Sequence, residues 1–144
     1  MSAQAFDIKT SRAFFNELLA QYEEFKQNPT SSRLAINCAL WSYHLCEWIK
    51  AENGEIVTAA HCPSLTTMRD IGNGTKHFTI DRGQPTVVAT ELHGGDFSDD
   101  FNLDFEISTL QVTTADGRTL QFDDELKNVI QFWSAHPRLV NRSD

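Results

Sequence analysis

The chain is 144 residues long and carries a formal charge of −8 at pH 7, with 40% hydrophobic and 22% charged residues. That length fits one domain able to bury a core without disulfide or metal staples, and the longest apolar stretches are broken by Asn37, Ser42, His44 and Glu47 before they reach membrane-spanning length. Charge is uneven, with seven Lys and Arg against eight Asp and Glu through His77 and five against twelve from Phe78 onward; such an acidic surface repels phosphate, so any nucleic-acid role rests on a local cationic patch.

The N-terminus, Met1 to Asp7, has no cationic start followed by an apolar run, so no secretory or lipid signal is readable and a cytoplasmic location is expected. Residues 10–28 then place Phe14, Phe15, Leu18, Leu19, Tyr22 and Phe25 at three-and-four spacing, which predicts a surface helix with one buried stripe. Thr10 or Ser11 suits its cap, and Asn28-Pro29 ends it, because the residue before proline avoids helical geometry. Ser31 or Ser32 caps a second helix, "RLAINCALWSYHLCEWIKAE", apolar on almost every side as the centre of a bundle requires. Along it Asn37, Trp41, His44 and Trp48 form a line, with Glu47 nearby, and a buried polar line of that kind needs internal partners.

Cys62-Pro63-Ser64 starts a third predicted helix, since proline is tolerated in a first turn. Leu65, Met68 and Ile71 face its core, while Gly72 and Gly74 mark a close approach of another element or fraying. From Phe78 the pattern alternates: Phe78 and Ile80, then 87–92, then Leu103 to Val112 read as strands. Asp116-Gly117 sits at the turn of a hairpin. Asp123 caps a last helix with Leu126, Val129, Ile130 and Trp133 on one stripe, ending before Pro137. Helices over 10–77, strands over 78–122 and a helix over 123–137 predict a single α+β domain, a bundle of about three helices packed on a small antiparallel sheet. Cys38, Cys46 and Cys62 are odd in number and lie in apolar surroundings, which suits reduced thiols.

The chemistry-bearing stretch is "MRDIGNGTKHF", residues 68–78. At 100° per residue Lys76 falls at about −20°, Arg69 at 0°, Asn73 at about 40°, His77 at about 80° and Asp70 at about 100°, so five polar side chains share about a third of a helix circumference. An Arg followed at once by a polar residue, then by His near a helix end inside a small helical bundle, resembles the signature of HEPN domains. Seven residues separate Arg69 from His77, a longer gap than that family's usual one, and the resemblance covers residues 10–77 only. The phrase Arg-Asp-x-x-Asn-x-x-Lys-His is also similar to short uncharacterised bacterial and phage-related proteins.

The resemblance implies a homodimer that cleaves RNA without a metal, leaving a cyclic phosphate. Arg69 would stabilise the phosphorane, Asp70 and Asn73 would belong to the same site, Lys76 would bind phosphate, and His77 would orient or deprotonate the 2′-hydroxyl. The alternative is a non-catalytic protein-interaction module in which these groups cap and support the helix. A third arrangement, His44 and Glu47 with His61, Cys62 and His77, supplies ligand types for zinc or iron. That set has no HExxH, no paired CxxC and no second Glu-x-x-His, so no metal and no cofactor are expected. Asp96, Asp99, Asp100 and Asp104 lack EF-hand order, which leaves them as a solvated acidic loop.

Overall fold

The computed structural model describes residues 6–76, 87–93 and 109–140. Thr10 makes the first boundary, its hydroxyl accepting the Ala13 N–H at 3.0 Å at the start of α1 (Ser11–Gln27). Asn28 closes that helix ahead of Pro29, its N–H returning to the carbonyls of Glu24 and Phe25. Ser31 then caps α2 (Ser32–Asn53) through the Leu34 N–H at 3.2 Å. At the far end of α2 the chain turns on Gly54, whose φ of 77° is left-handed and whose N–H bonds Lys50 O. The third helix, α3, covers Ser64–Lys76.

Strands β1 (Val87–His93), β2 (Thr109–Thr114) and β3 (Thr119–Gln121) form one antiparallel sheet in that spatial order. Between β2 and β3 the expected Asp116-Gly117 turn is present, with Gly117 at φ 87° and Thr114 N bonded to Arg118 O. The strand β3 runs straight into α4 (Phe122–Ser134). Asp123 does not cap this helix: Gln121 occupies the cap position without a side-chain bond, and the Asp123 carboxylate accepts the Asp124 N–H inside the first turn. No loop separates strand from helix, so the cap falls on the last strand residue. Three acidic residues, Asp123, Asp124 and Glu125, still favour that first turn by facing the positive end of the helix dipole.

The order is therefore α+β: three helices, a small antiparallel sheet and a C-terminal helix. Helix α2 packs on α1, α3 and α4, while α4 also lies on β2 and β3. Leu18, Cys38, Leu45, Ile49, Met68, Leu126, Val129 and Trp133 are wholly enclosed between them. Each large apolar side chain so buried contributes about 1.5–3 kcal/mol relative to exposure. Trp133 satisfies its indole N–H on the Ser42 carbonyl at 3.0 Å, so the largest core side chain leaves no polar group stranded.

One expectation about α2 changes. Its line of Asn37, Trp41, His44 and Trp48 is not enclosed: Asn37 and both tryptophans are half-buried, and His44 and Glu47 are exposed. The tryptophans lean on Phe14 of α1, with ring centroids 4.3 and 4.9 Å away, so the line borders the α1–α2 seam and solvent hydrates its polar members. Phe78, Ile80, Leu103, Phe105 and Ile107 lie outside the described residues.

The two glycines of α3 separate in role. A β-carbon on Gly72 would lie 3.0 Å from Leu40 Cδ2, whereas one on Gly74 would meet nothing within 4 Å. Gly72 therefore admits Leu40 of α2, and Gly74 only lowers helix propensity. Gly74→Ala is expected to raise unfolding free energy by up to about 1 kcal/mol, and Gly72→Val to lower it by about 1–3 kcal/mol through overpacking; denaturant titrations of both variants check this contrast.

Candidate functional site

Arg69 lies mid-helix on α3, and the next residue, Asp70, is turned inward with its side chain 3% exposed. Arg69 Nε and Nη2 both reach Asp70 Oδ1 at 3.0 Å. A carboxylate this enclosed needs a cationic or donor partner, since burying one alone is very costly. Arg69 meets that need while keeping its own side chain 38% exposed. The five-residue polar arc is thus divided: Asp70 joins the inner wall, and Arg69 and Asn73 sit half-buried at the rim. Lys76 is the last residue of α3, and His77 lies outside the described residues.

Arg69 opens onto a cleft of about 170 Å³. Tyr43 and Cys46 of α2 form one wall, Leu65, Thr66 and Arg69 of α3 another, and Val57, Thr58 and Ala59 of the connecting loop close the end. Tyr43 and Cys46 are three residues apart on α2, as Thr66 and Arg69 are on α3, so each helix offers one i, i+3 pair to the cleft. Burial is the largest influence on Tyr43 and pushes its phenol above the usual value, so the hydroxyl stays protonated at neutral pH. Cys46 is pushed up to about 11, first by burial. It is therefore a poor nucleophile in this position. Cys38, pushed by burial to about 12, and Cys62, also raised by burial, are likewise thiols, and all three cysteines are free.

Of the His44, Glu47, His61, Cys62 and His77 set, His77 lies outside the described residues. His44 Nδ1 is 4.0 Å from Glu47 Oε1 on an exposed face, and His61 turns back to receive the Thr58 N–H at 3.2 Å. Among the described residues no three His, Cys, Asp or Glu side chains converge on a position for a metal ion. The acidic residues 96–104 lie outside the described residues.

A second polar cluster was not singled out by sequence pattern. The Glu52 carboxylate near the end of α2 accepts the Ser11 N–H at 2.6 Å and the Ser11 hydroxyl, and takes Arg138 Nε at 3.1 Å. Beside it His136 Nε2 meets Glu55 Oε1 at 2.9 Å, while His136 Nδ1 accepts the Arg138 N–H at 3.1 Å. That backbone donor assigns the ring proton of neutral His136 to Nε2, from which it is donated to Glu55. Arg12 Nη2 adds a bond to Val140 O at 2.9 Å. These contacts span 41, 81, 86 and 128 residues, and the only sequence trace of them is the pairing of Glu52 and Glu55 around the Gly54 turn with His136 and Arg138 around Pro137.

No family model matches the chain, and neither the curated proteins nor the solved structures contain a match. Among the described residues no helix is long and apolar enough to cross a membrane.

Glu52 generates a pH dependence. Burial raises its carboxyl, but the bonds from Ser11 and Arg138 outweigh burial and hold it below the usual range. A carboxyl depressed in the folded state stabilises the protein above its unfolded value, near 4.3, and that stabilisation is lost as pH falls through the lower folded value. Glu52→Ala is expected to cost about 1–3 kcal/mol at pH 7, with the gap from the wild type narrowing below pH ~4. Denaturant titrations of both proteins at pH 7 and pH 3 measure the two gaps.

Proposed function

We propose that the chain is a metal-independent, RNA-directed protein of HEPN-like type, with Arg69 as its phosphate-facing group. The observation that carries this reading is the Arg69–Asp70 pair: a nearly enclosed carboxylate anchors the guanidinium by Nε and Nη2 while the side chain stays open to the α2–α3 cleft. An arginine held in this way is pre-organised, and a planar fork with spare N–H groups suits phosphate oxygens. Asp70 then acts through Arg69 as a positioning residue and does not touch substrate. Asn73 and Lys76 continue along α3 from Arg69, and His77 is proposed as the proton-transferring partner. Pairing of two copies, which would bring a second Arg69 and His77 to the site, belongs to the same proposal.

A second reading, a non-catalytic protein-interaction module, is favoured by the same burial of Asp70, because an inward carboxylate neutralised by its neighbour also simply stabilises α3. Direct assay separates the two. Wild-type protein in EDTA is expected to cleave single-stranded RNA to products ending in a cyclic phosphate. His77→Ala and the double variant Arg69→Ala/Asp70→Asn, which leaves no enclosed carboxylate without its guanidinium, are expected to stay folded by circular dichroism and lose at least about 100-fold in rate, the scale of one general acid-base or charge-stabilising group. Intact RNA after prolonged incubation with wild-type protein, or full activity in both variants, would rule out the ribonuclease.

A further inference from the structure

We propose that the α2–α3 cleft seats a single phosphate-class oxyanion between Arg69 and Tyr43, with Tyr43 as a binding residue that the sequence pattern does not mark. This deepens the RNA reading and rests on it for the identity of the natural ligand as a nucleic-acid phosphate. The cleft itself is argued from its lining.

Three observations converge on it. First, the volume of about 170 Å³ is several times the roughly 30 Å³ that a water takes in the liquid, so a tetrahedral oxyanion fits. Second, the charge is arranged for an anion. Asp70 pairs with Arg69 from the enclosed side and is not part of the lining, so Arg69 is the charged side chain among the residues that line the cleft. Two carboxylates act on Tyr43: Glu47 of its own helix, whose side chain is 74% exposed and hydrated, and Asp70, which is paired with Arg69. Third, donors converge. Arg69 spends Nε and Nη2 on one carboxylate oxygen, leaving Nη1 and its protons for a ligand, and Tyr43, protonated at neutral pH, lines the same cleft from the opposite helix. Thr66 adds a further polar side chain to the lining, while the Thr58 hydroxyl is engaged by the Ala60 N–H within its own loop. Val57 and Leu65 are buried beneath, and an apolar floor under a few converging polar groups is the usual construction of a small-ligand site. Arg69 and Tyr43 also lie within electrostatic range of each other, since the guanidinium favours the ionised phenol.

The test titrates ¹⁵N-labelled full chain with inorganic phosphate at constant ionic strength, against a matched chloride series. The expected result is saturable phosphate-specific shifts at the amides of Cys46, Thr58, Thr66 and Arg69. The double variant Arg69→Ala/Asp70→Asn, which leaves no enclosed carboxylate without its guanidinium, should weaken affinity by about tenfold or more, the scale of a charged hydrogen bond, and Tyr43→Phe, which keeps the ring and its packing, by about two- to tenfold. Absent or chloride-like shifts, or shifts centred elsewhere, overturn the seat; undiminished binding in Tyr43→Phe overturns its second half. The RNA assay is read separately. Phosphate binding with no RNA cleavage leaves the seat standing without the ribonuclease, whereas RNA cleavage with no phosphate shift removes the seat alone.

Discussion

The indole of Trp133 and the backbone of α2 hold the molecule together. Trp133 fills the space between α4 and α2, and its N–H is answered by the Ser42 carbonyl at 3.0 Å. Ser42 is itself enclosed and gives its hydroxyl to Ala39 O, so small residues on this side of α2 let α4 approach. Because α2 also receives α1 and α3, its orientation sets those of all the other helices. A large apolar side chain with one satisfied polar tip contributes both burial and register, and here it joins residues 91 apart in the chain.

The cleft follows from this arrangement. Leu40 of α2 enters the space that Gly72 leaves open, and that approach of α3 to α2 brings the Thr66–Arg69 edge opposite Tyr43 and Cys46. Asp70 faces inward because it follows Arg69 by one residue, about 100° around the helix. The resulting pair costs desolvation on one side and leaves the other open, and the guanidinium offsets part of the cost of enclosing the carboxylate. Structural and functional roles of Arg69 are therefore not exclusive: the contact that keeps Asp70 satisfied is also the one that aims the guanidinium at the cleft.

At the C-terminal end of α2, Glu52 and Glu55 gather Ser11, His136 and Arg138. The first turn of α1 and the segment after α4 are thus fastened to one helix end by charge-assisted bonds, which exceed neutral ones in strength. Gly54 makes this possible: its left-handed turn lets Glu55 leave α2 beside Glu52.

Local periodicity determined a great deal. Thr10, Ser31 and Asn28-Pro29 mark helix ends because capping and the steric effect of proline act over a few residues, and Asp116-Gly117 marks the hairpin for the same reason. The stripes of α1 and α4 identify their buried faces, since 3.6-residue spacing is a property of the chain alone. Other features depend on neighbours. Asp123 reads as a cap, but β3 continues into α4 without a loop. His44 and Glu47 read as a buried line, but among the described residues no element covers that side of α2, and both side chains are exposed. Arg69 and Asp70 stand out in the sequence, and their shared arc is legible there. Which of the two turns inward, and that Tyr43 of another helix lines the same cleft as Arg69, is decided by how α2 and α3 pack, because a burial environment is made by side chains distant in sequence.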